Sequence, residues 1–235
     1  MDIGFALNYA HVYEIDVTPN GPARTWAWLA AGVSSIDSDG NEEVSQDPYY
    51  DGGGQASSDV TGGQEVVKVS GHRKYGDPAQ DYMASLKFAY GEARKSNLRI
   101  TNPDGEQLVV PVTIANIKAS GAHGDANAKN DFEVELHFNG MPRMVPPTKT
   151  KLPESVSVPG SPITVQASKS AKVSATVVPA DASDKLLYAV EDDTIATVDA
   201  DGNVKGVKQG QTRVSVKCAA KPSVSAVAEV KVTTG

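Results

Sequence analysis

From Lys151 onward the apolar residues alternate at period two, in short runs. The runs include Val156/Val158, Ile163/Val165, Val173/Ala175/Val177, Leu187/Ala189, Ile195/Val198, Val204/Val207, Val214/Val216/Cys218 and Val230/Val232. Side chains on a strand point to opposite faces in turn, so each run has one apolar face and one wet face. Turn residues punctuate the runs at Pro159-Gly160, Pro179-Ala180-Asp181, Asp201-Gly202-Asn203 and Gln209-Gly210. Asp-Gly suits a tight turn because glycine accepts a positive φ without steric cost. About eight short strands in this space form a two-sheet β-sandwich.

Particular strings sharpen this. They are Ala175-Thr176-Val177-Val178-Pro179, Tyr188–Asp193, Ile195–Val207 with its core Ala196-Thr197-Val198-Asp199-Ala200-Asp201-Gly202-Asn203-Val204, and Gly210–Val216. In that order they resemble the group 2 bacterial immunoglobulin-like domain. The resemblance implies an immunoglobulin-like β-sandwich with an aromatic plug in its core. Tyr188 stands where the family usually has Trp. Cys218, in an alternating strand, reads as a buried apolar residue.

The stretch Met141–Pro153 holds four prolines, a density that favours an extended connector over a paired strand. Charge changes across it. Residues 1–150 carry 12 basic and 20 acidic side chains, while residues 151–235 carry 10 and 9. Two compositions joined by a Pro-rich segment predict a first domain at 1–145, a connector at 146–153 and a second domain at 154–235.

The first part also reads as mainly β. Residues 5–17 and 24–34 predict strands, and a polar stretch from Ile36 to Gln64, with Gly52-Gly53-Gly54, predicts a long functional or disordered loop. Glu65–Val69 restarts a strand. Asp77-Pro78 is a helix start, because Asp accepts from orphan amides and Pro suits the first helical position. Tyr82, Leu86 and Ala89/Tyr90, with Met83 beside them, then predict a core-facing helix over Ala79–Tyr90, stopped by Gly91. Residues 98–101, 107–117 and 131–138 read as strands, with Asn102-Pro103-Asp104-Gly105 as a turn. In the last, Phe132, Val134, Leu136 and Phe138 share one face, and Glu133, Glu135 and His137 share the other.

Four strings carry a second resemblance: Asp47–Gly54, Val60–Gln64, Gly71–Tyr82, and Gly121–Asn127 followed by Phe132–Gly140. Together they are similar to the major tail tube protein of long-tailed bacteriophages. The resemblance implies a tail-tube β-sandwich or barrel with one flanking α-helix. It implies six copies per ring, inner sheets joined into one barrel, and rings stacked into a tube that conducts DNA without binding it specifically. Tape-measure, tail-completion and baseplate proteins would be partners, and the virion tail the location. Asp47, Tyr49, Tyr50 and Asp51 would reach a neighbouring subunit or ring, and Glu133 and Glu135 would face the lumen. The immunoglobulin-like module would sit outside and bind host-surface glycans weakly. The tube protein of a contractile injection system shares the architecture.

Other classes find little support. The formal charge is −7, and no basic run suited to wrapping nucleic acid is present. No apolar run reaches membrane-helix length, and the first residues lack the pattern of a secretory signal. The lone cysteine excludes a disulfide framework within the chain. His11, His72, His123 and His137 show no zinc spacing, and Asp37-Ser38-Asp39-Gly40-Asn41 misses the calcium-loop positions, so neither metal nor cofactor is expected. Glu133 and Glu135 invite a glycosidase reading, but neighbouring carboxylates on one strand face are ordinarily just a wet face. No nucleophile elbow or phosphate loop appears, so no enzyme is expected. A surface adhesin with an immunoglobulin-like module is the rival reading, and an enzyme with an accessory sandwich is third.

Overall fold

A computed structural model describes residues 1–119 and 126–234. The protein is mainly β, as expected. In chain order the strands of the first part are β1 (Val12–Asp16), β2 (Trp26–Trp28), β3 (Val33–Asp39), β4 (Glu43–Pro48), β5 (Ala56–Gly62), β6 (Val66–His72), β7 (Lys95–Thr101), β8 (Gln107–Lys118), β9 (Asp131–Phe138) and β10 (Arg143–Val145). One α-helix among the described residues, α1 (Pro78–Ser85), lies between β6 and β7. A sheet runs in the order β2-β1-β7-β8-β9-β6-β3, with β10 paired to β8, and β4 and β5 form a separate two-stranded ribbon. By packing, the chain gathers into two compact units. One comprises Met1–Glu14, Arg99–Leu108 and Met144–Gly235, the other Ile15–Leu98 and Val109–Arg143.

The alternation in β9 is realised directly: Phe132, Val134, Leu136 and Phe138 are buried. Leu136 lies opposite Val67 of β6 and Ile114 of β8, and Val134 lies opposite Val69. The turn before β8 closes as predicted, with Gly105 N donating to Asn102 O at 2.9 Å and Asn102 N donating to Glu106 O at 2.8 Å.

Three expectations need correction. The first strand begins only at Val12; Asn8–Ala10 is a 3-10 turn, and Phe5, Leu7 and Tyr9 are exposed, so their alternation marks no core. The polar stretch 36–64 is not a loop, since β3 extends to Asp39 and β4 and β5 pair beyond it. The helix ends at Ser85, and its buried residues are Ala79, Gln80 and Met83, whereas Tyr82 and Leu86 are half-buried and Tyr90 is exposed. The termination has a local cause. Lys87 N and Ala89 N donate three residues back, to Ala84 O and Leu86 O, which tightens the last turns beyond α-helical pitch.

The string Gly71–Tyr82 folds into a knot of hydrogen bonds. Asp77 caps α1, its Oδ1 accepting from Gln80 N at 2.9 Å, and burial pushes its carboxyl pKa up. Gln80 is 1% exposed. Its Oε1 accepts from Lys74 N at 2.8 Å and from Arg73 Nη1, and its Nε2 donates to Ala31 O and His72 O. Arg73 also donates to Ala119 O and pairs with Asp81. Gly71 admits Gly32: a Cβ there would stand 2.1 Å from Gly32 O. Gln80→Leu keeps the volume but strips partners from buried backbone groups. We expect a loss of about 1–3 kcal/mol, read as a lower urea midpoint with an unchanged slope.

The remaining strands are β11 (Ser155–Ser157), β12 (Ile163–Gln166), β13 (Ser170–Lys172), β14 (Thr176–Val178), β15 (Leu186–Val190), β16 (Ala196–Val198), β17 (Asn203–Gly206), β18 (Gly210–Cys218) and β19 (Lys221–Thr233). They form sheets β12-β19-β18-β15, β13-β17-β16 and β11-β14. Ile163, Val165, Tyr188, Val204, Val214, Val216, Cys218 and Val230 meet in one apolar cluster, so Tyr188 and Cys218 are both core residues.

Candidate assembly surfaces

The β4–β5 ribbon is built from residues with no core to serve. Its register runs from Glu43 opposite Gly62 to Pro48 opposite Ala56, and no residue of either strand is buried. Val44 and Val60, an opposed pair, are both exposed. At the tip, Tyr50–Gly52 make a 3-10 turn, and Gly53 and Gly54 take positive φ of 61° and 88°. Tyr49 is exposed, and Tyr50 is fully exposed at 109%. The four residues expected to meet a neighbour, Asp47, Tyr49, Tyr50 and Asp51, are therefore brought together at the tip.

The root of the ribbon is pinned. Gln64 N donates to Gly40 O at 2.9 Å, Asn41 Nδ2 donates to Asp39 O and Gln64 O, and Gln64 Nε2 donates to Phe138 O at 3.2 Å. From Gly40 to Gln64 the chain carries Glu42, Glu43, Asp47, Asp51 and Asp59, with no lysine or arginine.

The second surface is the wet face of β3, β6, β9 and β8. Register places Asp37 opposite Lys68 and Lys68 opposite Glu135, and Ser70 opposite Glu133. Glu133 and Glu135 share this face, as expected, but neither is a bare charge. Lys118 Nζ lies 2.9 Å from Glu133 and 3.1 Å from Asp131, and those hydrogen bonds hold the ammonium pKa up. Glu135 accepts from Asn116 Nδ2 at 2.6 Å and contacts His137 Nε2 at 3.0 Å. The hydrogen bond to His137, then that to Asn116, lowers the Glu135 pKa. Asn116 reaches it because the β8–β9 register shifts between Ala115 and Lys118, where Asn116 takes a φ of 48°. The bulge also carries Lys118 to the polar face. A strict period-two count along β8 misses both partners.

Asp37 and Asp39 lie in β3, and Asp39 Oδ1 accepts from Asn41 N in a local turn. Among the described residues no group of three or more His, Cys, Asp or Glu converges to hold a metal. No helix of the described residues is long and apolar enough to cross a membrane. Residues 120–125, with His123 and most of the Gly121–Asn127 string, lie outside the described residues.

The sequence profile of the family described as bacterial Ig-like domain (group 2) matches residues 154–233, in accord with the C-terminal sheets. No curated protein matches the chain. Among solved structures it is similar to a chain in the tail of an empty gene transfer agent (GTA) particle with C6 symmetry. That chain is 16% identical and overlaps 60% of this chain and 100% of its own, at a TM-score of 0.48. A chain of the native GTA virion gives 15%, 60%, 100% and 0.47. The cap terminating the tube of the anti-feeding prophage gives 14%, 60%, 91% and 0.38.

Proposed function

We propose that this chain is a structural subunit of a phage-type tail tube, polymerising as hexameric rings that stack into a DNA conduit. The observation that carries the reading is the β4–β5 ribbon. A two-stranded ribbon wet on both faces is marginal alone and gains stability from a partner. Its aromatic tip is the kind of group that anchors an interface. Strand β3 ends the order of its sheet and leaves main-chain groups on one side for another strand. The resemblance of Asp47–Gly54 and Gly71–Tyr82 to tail tube proteins supports the same assignment.

In this reading Glu133 and Glu135 line the channel. The face holds Asp37, Asp39, Asp131, Glu133 and Glu135 against two lysines, Lys68 and Lys118. An acidic excess repels phosphates within about one Debye length, roughly 8 Å at physiological salt, and Lys118 is already held by Glu133 and Asp131. The immunoglobulin-like domain hangs outside the conduit. Negative-stain microscopy of the purified protein tests the proposal. Rings or tubes are expected, and a monodisperse monomer at high concentration rules it out.

A further inference from the structure

The ribbon needs a seat, and the same compact unit offers one of matching chemistry. After α1 the chain turns through 86–90 and enters the 3-10 turn Gly91–Arg94. Arg94 holds this segment from beneath. Its Nε donates to Ala89 O and its Nη2 to Lys87 O, both at 2.7 Å, and its Nη1 donates to Ile114 O at 3.4 Å. One guanidinium thus fastens two carbonyls of the segment and ties them to β8. The result is a fixed shelf.

On that shelf Phe88 and Tyr90 face solvent at 80% and 81% exposure. Lys87 Nζ lies 5.7 Å from the Phe88 ring centre, and the Arg94 guanidinium 5.7 Å from that of Tyr90. Two large exposed rings backed by cations form a binding surface for something apolar and acidic. The ribbon is both. It carries Val44, Val60, Tyr49 and Tyr50 in the open, with five carboxylates and no cation.

We infer that the Phe88/Tyr90 shelf of one copy, with Lys87 and Arg94, receives the β4–β5 ribbon tip of a second copy. This rests on the tube reading and adds its acceptor surface. Donor and acceptor are different patches, so the contact is heterologous. Such contacts propagate head to tail, closing into rings or continuing as filaments.

Mixed cross-linking tests the pair on the full chain. Asp51→Cys and Lys87→Cys are made on separate copies, with the native Cys218 buried. A short thiol cross-linker is expected to give a covalent dimer in the mixture and none with either variant alone. A chain bearing both substitutions is expected to give a ladder. Charge exchange is the second measurement. Lys87→Glu is expected to raise the critical concentration for assembly roughly tenfold, and adding Asp51→Lys on the same chain to restore it. Wild-type tubes without a mixed dimer, or an unchanged critical concentration for Lys87→Glu, overturn the docking pair and leave the tube reading standing. A wild-type chain that never assembles overturns both.

Discussion

Excising Glu42–Gly62 and joining Asn41 to Gly63 is expected to give a chain that folds normally and does not polymerise. The junction is sterically close, since the Cβ position of Gly63 lies 3.0 Å from Gly40 O and 3.7 Å from Asn41 O. The hydrogen bond from Gln64 N to Gly40 O already closes the ring at that point. The shortened connection between Asp39 and Val66 has about five residues, an ordinary length for a hairpin. Stability is expected to change by only about 0.5 kcal/mol, because the removed strands bury no side chain. Assembly is expected to disappear. Losing a tip with two exposed tyrosines removes anchors worth about 2 kcal/mol or more each when seated, hence roughly a thousandfold in critical concentration. Calorimetry and microscopy on the same preparation separate the two effects. Wild-type-like tubes from the excised chain would show that the ribbon is ornamental.

The second large effect is local to the immunoglobulin-like domain. Gly202→Ala is expected to destabilise it by about 2–5 kcal/mol, through two independent penalties. Gly202 has a φ of 80°, a left-handed conformation that costs an alanine about 1–2 kcal/mol. An added Cβ would also stand 2.5 Å from Tyr188 Cζ and 2.9 Å from Cε1 and Cε2. The ring is 8% exposed and packed in the core, so relieving the clash costs about 1–3 kcal/mol more. The loop has little freedom to yield. Asp199 Oδ1 accepts from Asp201 N and Asn203 N, and Gly202 O accepts from Val173 N. The unfolding transition of this domain should fall by roughly 10–40 °C in the full chain. A double-mutant cycle with Tyr188→Leu assigns the cause. If the ring is the obstacle, the cost of Gly202→Ala shrinks when Tyr188→Leu is already present. An undiminished cost would leave backbone strain as the whole effect.

How much of this is legible in the sequence depends on whether a segment serves a core. In β9 and β17–β18, alternate residues are buried, so the period is written in Val, Leu and Phe and reads without ambiguity. The same holds for Asp201-Gly202-Asn203, where the turn chemistry is local. The ribbon reads as a loop because neither of its faces is buried. Val44 and Val60 are too few to set a period, and strand pairing there rests on main-chain hydrogen bonds, which leave no mark on composition. The helix reads too long for a related reason. Tyr82, Leu86 and Tyr90 keep helical spacing, but the chain leaves the helix at Leu86, so Phe88 and Tyr90 end in solvent instead of the core. Glu133 and Glu135 are legible together with their shared face. Their neighbour Lys118 is not, because the bulge at Asn116 puts it out of phase.

The pairing of β12 with β19 bears on how the C-terminal domain answers a pull. These strands run parallel, Ile163 opposite Val230 through Gln166 opposite Thr233, and they lie near the two ends of the domain. Tension that enters through β12 and leaves past the end of β19 draws the two strands in opposite senses along their shared axis. The ladder is then loaded in shear, and its bonds resist together. An antiparallel pair peeled from one end would yield them singly. The domain thus carries a clasp near its two ends, set by strand direction alone.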